Sequence, residues 1–200
     1  MSYLDQMFGL EDKVVVITGG GGAIAGAMSE ALLKAGAAVV LWDISNEALK
    51  QAKRRLAAST GLDEKVFSLV VDTADENSVA EALKNTEEQF GTPNVLINAA
   101  GGNRGKSSFV ETDINTFEFV LKLNLVAGLM VPTKVMAGYW IEKSIKGAII
   151  NMASMASYVP LSGVWAYDAA KAAVLNLTMA AAKEFARYGI RVNAIAPGFF

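Results

Sequence analysis

Two hundred residues, slightly more than half of them apolar, suffice for one domain with a substantial core, and a net charge of −2 with no basic stripe argues against a nucleic-acid-binding surface. The chain has no cysteine, which excludes disulfides and thiolate metal sites and fits a cytoplasmic protein. It also has no histidine, so Ser-His-Asp and Cys-His nucleophile systems and an imidazole-held zinc are excluded, leaving acid–base chemistry to Tyr, Lys, Asp or Glu; no metal site is expected.

Residues 1–12 carry acids and no long apolar run, so no signal peptide is expected there. Val14-Val15-Val16-Ile17 is β-branched and unbroken, the pattern of a strand covered on both faces, and it runs into Thr18-Gly19-Gly20-Gly21-Gly22. Ala23-Ile24-Ala25-Gly26-Ala27-Met28 then starts a helix whose first N–H groups lack partners. Turn and helix together offer donors and a positive dipole end to a phosphate or pyrophosphate. A tight turn that binds nothing is the plain alternative. Context favours binding, because a second strand, Val39-Val40-Leu41-Trp42, ends at Asp43, where a dinucleotide-binding unit keeps the acid that grips the adenosine ribose. A carboxylate there repels a 2′-phosphate, and residues 19–25 hold no Arg or Lys, so NAD is expected in preference to NADP. The other role open to Asp43 is that of a turn or cap residue, although Ser45 is placed to cap the next helix.

Gly36 supplies the stop of the first helix, and residues 47–58 are expected as an exposed helix with Lys50, Lys53, Arg54 and Arg55 outward. Val66-Phe67-Ser68-Leu69-Val70-Val71 is the third strand and ends at Asp72-Thr73. Asp75 or Thr73 caps a helix with Val79, Leu83 and Phe90 at helical spacing, and Gly91-Thr92-Pro93 breaks it. Asn94-Val95-Leu96-Ile97 is a fourth strand entering Asn98-Ala99-Ala100-Gly101-Gly102, a second turn of small residues at the sheet edge where ligands sit.

Residues 103–113 form a polar loop, and 116–143 a long apolar helix holding Asn124 and Pro132. Ala148-Ile149-Ile150-Asn151-Met152 is the fifth strand and delivers Ser154. The uncharged run 147–167 is long enough to raise a membrane span, but its serines, Asn151, Pro160 and Gly163 favour a buried strand and a loop, so no membrane partner is expected. A helix over 166–188 stops at Gly189, and Ile190-Arg191-Val192-Asn193-Ala194-Ile195 is a sixth strand ending in Pro197-Gly198. The class is α/β: a single Rossmann-type domain over 1–200, a doubly wound parallel sheet of strand order 3-2-1-4-5-6 with helices on both faces.

Tyr167 and Lys171 stand four apart at the start of the last helix and so share one face. A phenol is a poor acid–base at neutral pH until an adjacent ammonium favours the phenolate. Ser154 arrives from a strand tip and can hydrogen-bond the same oxygen that the phenol protonates, a trio suited to carbonyl–alcohol interconversion. By spacing alone, Tyr and Lys so placed are more often a surface pair, Ser154 a buried hydroxyl bonded to backbone, and Asn124 a polar residue at a helix kink.

The order of parts goes further. Thr18-Gly19-(three residues)-Ala23-Ile24-Ala25, Asp72, Asn98-Ala99-Ala100-Gly101, Asn124, Ser154, Tyr167-(three residues)-Lys171 and Asn193-Ala194-Ile195-Ala196-Pro197-Gly198 resemble the short-chain dehydrogenase/reductase family from about Lys13 onward. The resemblance implies an NAD-dependent enzyme with Tyr167 as acid–base and Ser154 polarising the substrate oxygen. Lys171 would hold the nicotinamide ribose and favour the phenolate, and Asn124 would anchor a proton-relaying water. Gly19, Gly22, Ala23, Ile24, Asp43, Asp72, Thr73, Asn98, Ala99, Ala100, Gly101, Tyr167, Lys171, Pro197 and Gly198 would line the cofactor. Ala23 and Ala25 stand where the family usually has glycine, with Gly22 and Gly26 displaced by one, so a methyl would either crowd the pyrophosphate or pin the helix start.

Gly101-Gly102-Asn103, Ser154-Met155, Pro160-Leu161 and the ending through Phe199-Phe200 look most like the D-mannonate oxidoreductase (fructuronate reductase) branch. That implies a small-molecule partner, a sugar acid or polyol, with Arg104 or Lys106 as a carboxylate clamp or simply as solvated loop charges. The alternatives are another sugar-acid, polyol or 3-oxoacyl enzyme of the family, or a non-catalytic NAD-binding module. The family implies a further helix and a seventh strand beyond Phe200, so C-terminal truncation is expected, the alternative being a protein that lacks part of its substrate wall and exposes the sixth strand as an edge. It also implies a homo-oligomer, dimer or tetramer, through the helices at 116–143 and 166–188, although both would also suit plain burial.

Overall fold

The computed structural model describes residues 3–198. After a short helix α1 (Tyr3–Phe8), β1 (Val14–Thr18), α2 (Ala23–Lys34), β2 (Ala38–Asp43), α3 (Asn46–Thr60), β3 (Val66–Val70), α4 (Glu76–Phe90) and β4 (Pro93–Asn98) alternate. There follow α5 (Ile114–Leu121), a π-helical stretch Lys122–Met130, α6 (Val131–Glu142), β5 (Ala148–Met152), α7 (Trp165–Phe185) and β6 (Arg191–Ile195). All six strands pair in parallel in the order β3-β2-β1-β4-β5-β6, as the sequence predicts.

The central strand shows why a continuous apolar run is needed. Successive side chains alternate faces, so Val14 and Val16 enter one core with Trp42, Leu96, Met136, Trp140 and Ile149, while Val15 and Ile17 enter the other with Leu33, Leu41, Leu49 and Ile97. Each such fully buried side chain contributes roughly 1.5–3 kcal/mol relative to exposure. Helices α4 and α6 cover the first face and α2 and α3 the second. Connections leave β1 toward β2 on one side and return through β4 on the other, so a crevice opens where Thr18 lies level with Trp42 and Asn98.

Caps follow local chemistry. Ser45, Asp75 and Asp113 each accept a backbone N–H at the start of α3, α4 and α5, whereas Gly22 at the start of α2 has no side chain to do so. One element departs from expectation: the helix predicted over 116–143 is widened in its middle. Asn124 donates its amide to the Val120 carbonyl, and Gly128 lies so close to the Ala100 carbonyl that a Cβ would sit 2.6 Å from it. Both contacts fall inside the π-helical stretch, where the ordinary ladder is replaced. By length and composition Ile114–Glu142 could cross a membrane, but Val120, Asn124, Ala127, Leu129, Met136 and Trp140 on this run are buried within the protein.

Candidate active site

Two cavities meet over the crevice, both bordered by Gly101. The first, about 490 Å³, is lined by Gly19, Asp43, Ile44, Asp72, Thr73, Ala100 and Gly101, and by residues that the sequence does not single out, notably Phe119, Lys122 and Leu123. Phe119 and Leu123 stand four apart, and helical spacing was the signal that could have paired them. The second, about 380 Å³, is lined by Ile24, Ala99, Ser154, Tyr167, Lys171, Pro197 and Gly198, together with Met152, Met155 and Leu161.

In the first cavity Asp43 does two things at once. Its Oδ2 accepts the Gly21 N–H at 3.0 Å and its Oδ1 the Ser45 N–H at 2.9 Å, so it is a turn residue and also ties the glycine loop to the tip of β2. A carboxylate has about four acceptor positions, which leaves capacity for ribose hydroxyls. Asp72 accepts the Ala74 N–H, and Thr73 is buried beside it. The loop itself is closed by Gly22 N–H to Gly19 O at 2.9 Å, and the leading N–H groups of α2 have no intrahelical acceptor.

In the second cavity Ser154 is buried, and its Oγ accepts the Ala156 N–H at 3.1 Å, which leaves the hydroxyl proton to donate elsewhere. The tip of β5 is tied to β6 by Ala153 N–H to Ile195 O and Met155 N–H to Pro197 O, both at 2.9 Å, which brings Pro197 and Gly198 to the cavity. Tyr167 is half-buried on the first turn of α7, and the Lys171 ammonium lies 5.6 Å from its ring centroid. Lys171 is itself buried and donates to the Met152 carbonyl at 2.7 Å.

Burial pushes the Lys171 amine from its ordinary 10.5 down to about 8. The unfolded chain therefore binds the extra proton between those values, so unfolding free energy rises with pH across that window, by at most about 3 kcal/mol. Urea midpoints taken near pH 7 and near pH 10 are expected to differ less in Lys171→Met than in the parent.

Four of the residues expected at the cofactor or the proton relay do not line either cavity. Asn98 is in the core, where its amide donates to Thr133 and Asn151 and Asn151 continues to Thr178, stitching β4, β5 and α7 together. Asn124 spends its side chain on the Gly102 N–H, the Gly102 carbonyl and the Val120 carbonyl, holding the second glycine turn. Gly22 borders neither cavity, and Ala23 faces a groove between α2 and α3. The methyl of Ala25 packs in the core with Ile17 and Leu33, so it pins the helix start rather than crowding an anion. Arg104 and Lys106 border a separate cavity near Gly163 and Trp165, with the Arg104 guanidinium 5.3 Å from the Phe119 ring centroid.

The pair of cavities fits a dinucleotide. A Cβ on Gly19 would come within 2.8 Å of Ala100 Cα, so the two turns approach as only glycine allows, and one on Gly101 would come within 2.7 Å of Asn124 Oδ1 on the π-helical stretch, between an acidic ribose end and a Ser-Tyr-Lys end.

Comparison with known proteins agrees. The family model for short chain dehydrogenase matches residues 13–200. An uncharacterized oxidoreductase of Haemophilus influenzae is 35% identical over 207 residues, covering 95% of this chain and 70% of the relative. A candidate D-mannonate oxidoreductase from Haemophilus, solved with bound NAD, superposes with a TM-score of 0.88 at 33% identity, over 98% of this chain and 74% of that one. A gluconate 5-dehydrogenase from Burkholderia cenocepacia, solved with NADP and tartrate, gives 0.88 at 29%, over 99% and 75%. A match that runs from the first strand through the last identifies the family: this chain is a short-chain dehydrogenase, an oxidoreductase that works with a nicotinamide cofactor.

Proposed function

We propose that the enzyme interconverts an alcohol and a ketone on a sugar acid, D-mannonate and D-fructuronate, with NAD, as a cytoplasmic homo-oligomer. The observation that carries the chemistry is the meeting of Ser154, Tyr167 and Lys171 on one cavity that shares Gly101 with the cavity holding Asp43. The nicotinamide, when bound, supplies or takes the hydride. In reduction the Ser154 hydroxyl donates to the carbonyl oxygen and fixes its place. As the C–O double bond becomes single, Tyr167 delivers its proton to that oxygen, and in oxidation it takes the proton back. Lys171, the buried amine beside the Tyr167 ring, would hold the nicotinamide ribose. Asn124 serves this arrangement by fixing the Gly101-Gly102 turn.

The substrate reading draws on the branch resemblance and on the NAD-bound neighbour. Since Arg104 and Lys106 border another cavity, Lys171 is the cation of the reacting one among the described residues. Comparison of D-fructuronate with D-fructose, which differ only in a carboxylate, therefore decides the class. NADH oxidation much faster with D-fructuronate supports the sugar acid, equal or faster NADH oxidation with D-fructose makes it a polyol enzyme, and NADH binding without any turnover supports a binding module.

For the cofactor, Asp43→Ala is expected to weaken NADH about tenfold while NADPH weakens less or improves, because the ribose partner and the repulsion of a 2′-phosphate leave together. Fluorescence titration of both nucleotides checks it, and an unchanged NADH affinity would remove Asp43 from the cofactor site. Val126 and Met130 on one helical run and Met179 on α7 are exposed, which supports association of these helices with a second copy. Light scattering reads the mass, and a monomer at working concentration rejects the oligomer.

A further inference from the structure

Asp168 follows Tyr167 in the first turn of α7. Its Oδ2 accepts the N–H of Leu161 at 3.0 Å, and Leu161 lines the same cavity as Ser154, Tyr167 and Lys171. Its Oδ1 is buried and accepts no hydrogen bond among the described residues. A carboxylate with one oxygen paired and one left without a partner gives up stability, only part of which the positive end of the helix restores.

The loop that Asp168 holds is fastened at both ends by other groups. Toward β5, Ser157 Oγ donates to the Lys171 carbonyl at 2.7 Å, and the Tyr158 and Val159 N–H groups both reach the Met155 carbonyl. Toward α7, Ser107 N–H donates to the Gly163 carbonyl at 3.2 Å and Trp165 Nε1 to the Ser107 carbonyl at 3.1 Å. Between these fastenings stands the tip, where Pro160 has no N–H and Leu161 gives its own to Asp168.

We propose that Asp168 is a positioning residue that sets Leu161 against the substrate, and through it selects among carbon chains at the reacting carbonyl. This rests on the reading of the cavity as the reacting one. Asp168 touches neither reacting oxygen nor cofactor in this role. It fixes an apolar wall by a hydrogen bond to backbone, so an uncharged acceptor of the same shape serves nearly as well, and removal of the acceptor frees the wall.

The test compares Asp168→Ala, Asp168→Asn and Leu161→Ala with the parent enzyme. It reads kcat and KM for D-fructuronate and D-fructose, NADH affinity by fluorescence, and hydrogen exchange of the segment 158–164. Asp168→Ala is expected to raise KM about tenfold with kcat and NADH affinity within about threefold, to change the preference between the two ketones, and to speed exchange at the tip. Leu161→Ala shifts KM alike, the double variant Asp168→Ala with Leu161→Ala is no worse than either, and Asp168→Asn recovers most of the parent's KM. Should Asp168→Ala fail to fold, Asp168→Ser, whose hydroxyl falls short of the Leu161 N–H, takes its place. Unchanged exchange at the tip, an Asn variant as impaired as the Ala variant, or NADH affinity falling in step with KM overturns the proposal. If the parent reduces neither ketone, the substrate reading fails by itself, and the exchange and NADH measurements still decide on Asp168.

Discussion

Tyr167→Phe is expected to lower kcat/KM about a thousandfold while leaving NADH affinity within about threefold of the parent. The substitution removes one oxygen and keeps the ring, so the contact with the Lys171 ammonium at 5.6 Å from the centroid persists, and so does the packing of the first turn of α7. What disappears is the proton that the reduced carbonyl oxygen must receive. Ser154 cannot replace it, since a serine hydroxyl that gives up its proton becomes a strongly basic alkoxide, and its Oγ has one backbone N–H to stabilise that charge. The Lys171 amine is held on the Met152 carbonyl. A general acid or base in place is worth roughly two to four powers of ten. Steady-state rates beside a nucleotide titration separate the terms, and turnover near the parent's would sink the proton-transfer role.

Strand order was legible because each strand carries its own evidence in the chain. Val14 to Ile17 is apolar at every position, and only a strand with a core on both faces needs that; once it is central, the glycine turn after it and Asp43 at the next tip fix the direction of winding. Ser154, Tyr167 and Lys171 come to one cavity by the same local logic of a strand tip and one helical turn. What each amide holds was less legible. The motif gives the places of Asn98 and Asn124 in the chain, but the partners their side chains take lie some tens of residues away: Thr133 and Asn151 for the one, Gly102 for the other. Arg104 follows the second turn closely in sequence, yet the loop beyond Gly102 swings it over Phe119. Asp168 had no signal at all, because its partner is a main-chain N–H and a main-chain N–H leaves no mark on the amino-acid sequence.

Gly19→Ala is expected to cost about 3 kcal/mol of stability and to weaken NADH at least about thirtyfold, through two effects that add at one atom. Gly19 has φ +62°, the left-handed region where a Cβ meets the following carbonyl and costs roughly 1–2 kcal/mol. The same Cβ would lie 2.8 Å from Ala100 Cα, 2.9 Å from Ala100 N and 3.0 Å from Ala99 O, all main-chain atoms. These atoms are not free to retreat, because the buried Thr18 hydroxyl accepts the N–H groups of both Ala99 and Ala100 at 3.1 Å and so clamps the turn after β4 onto the end of β1. Relief must come from parting the two turns, and Gly19, Ala100 and Gly101 line the 490 Å³ cavity. Gly26→Ala provides the control within the same motif. It lies inside α2 with nothing within 4 Å of a Cβ, so the added methyl is expected to stabilise by about 0.5–1 kcal/mol through helix propensity and to leave NADH binding alone. Thermal unfolding with a nucleotide titration on both variants checks the pair. Equal effects would mean that the loop yields as a whole, whereas opposite signs locate the constraint at the junction of the two turns, where alanine at 23 and 25 does no harm and alanine at 19 does.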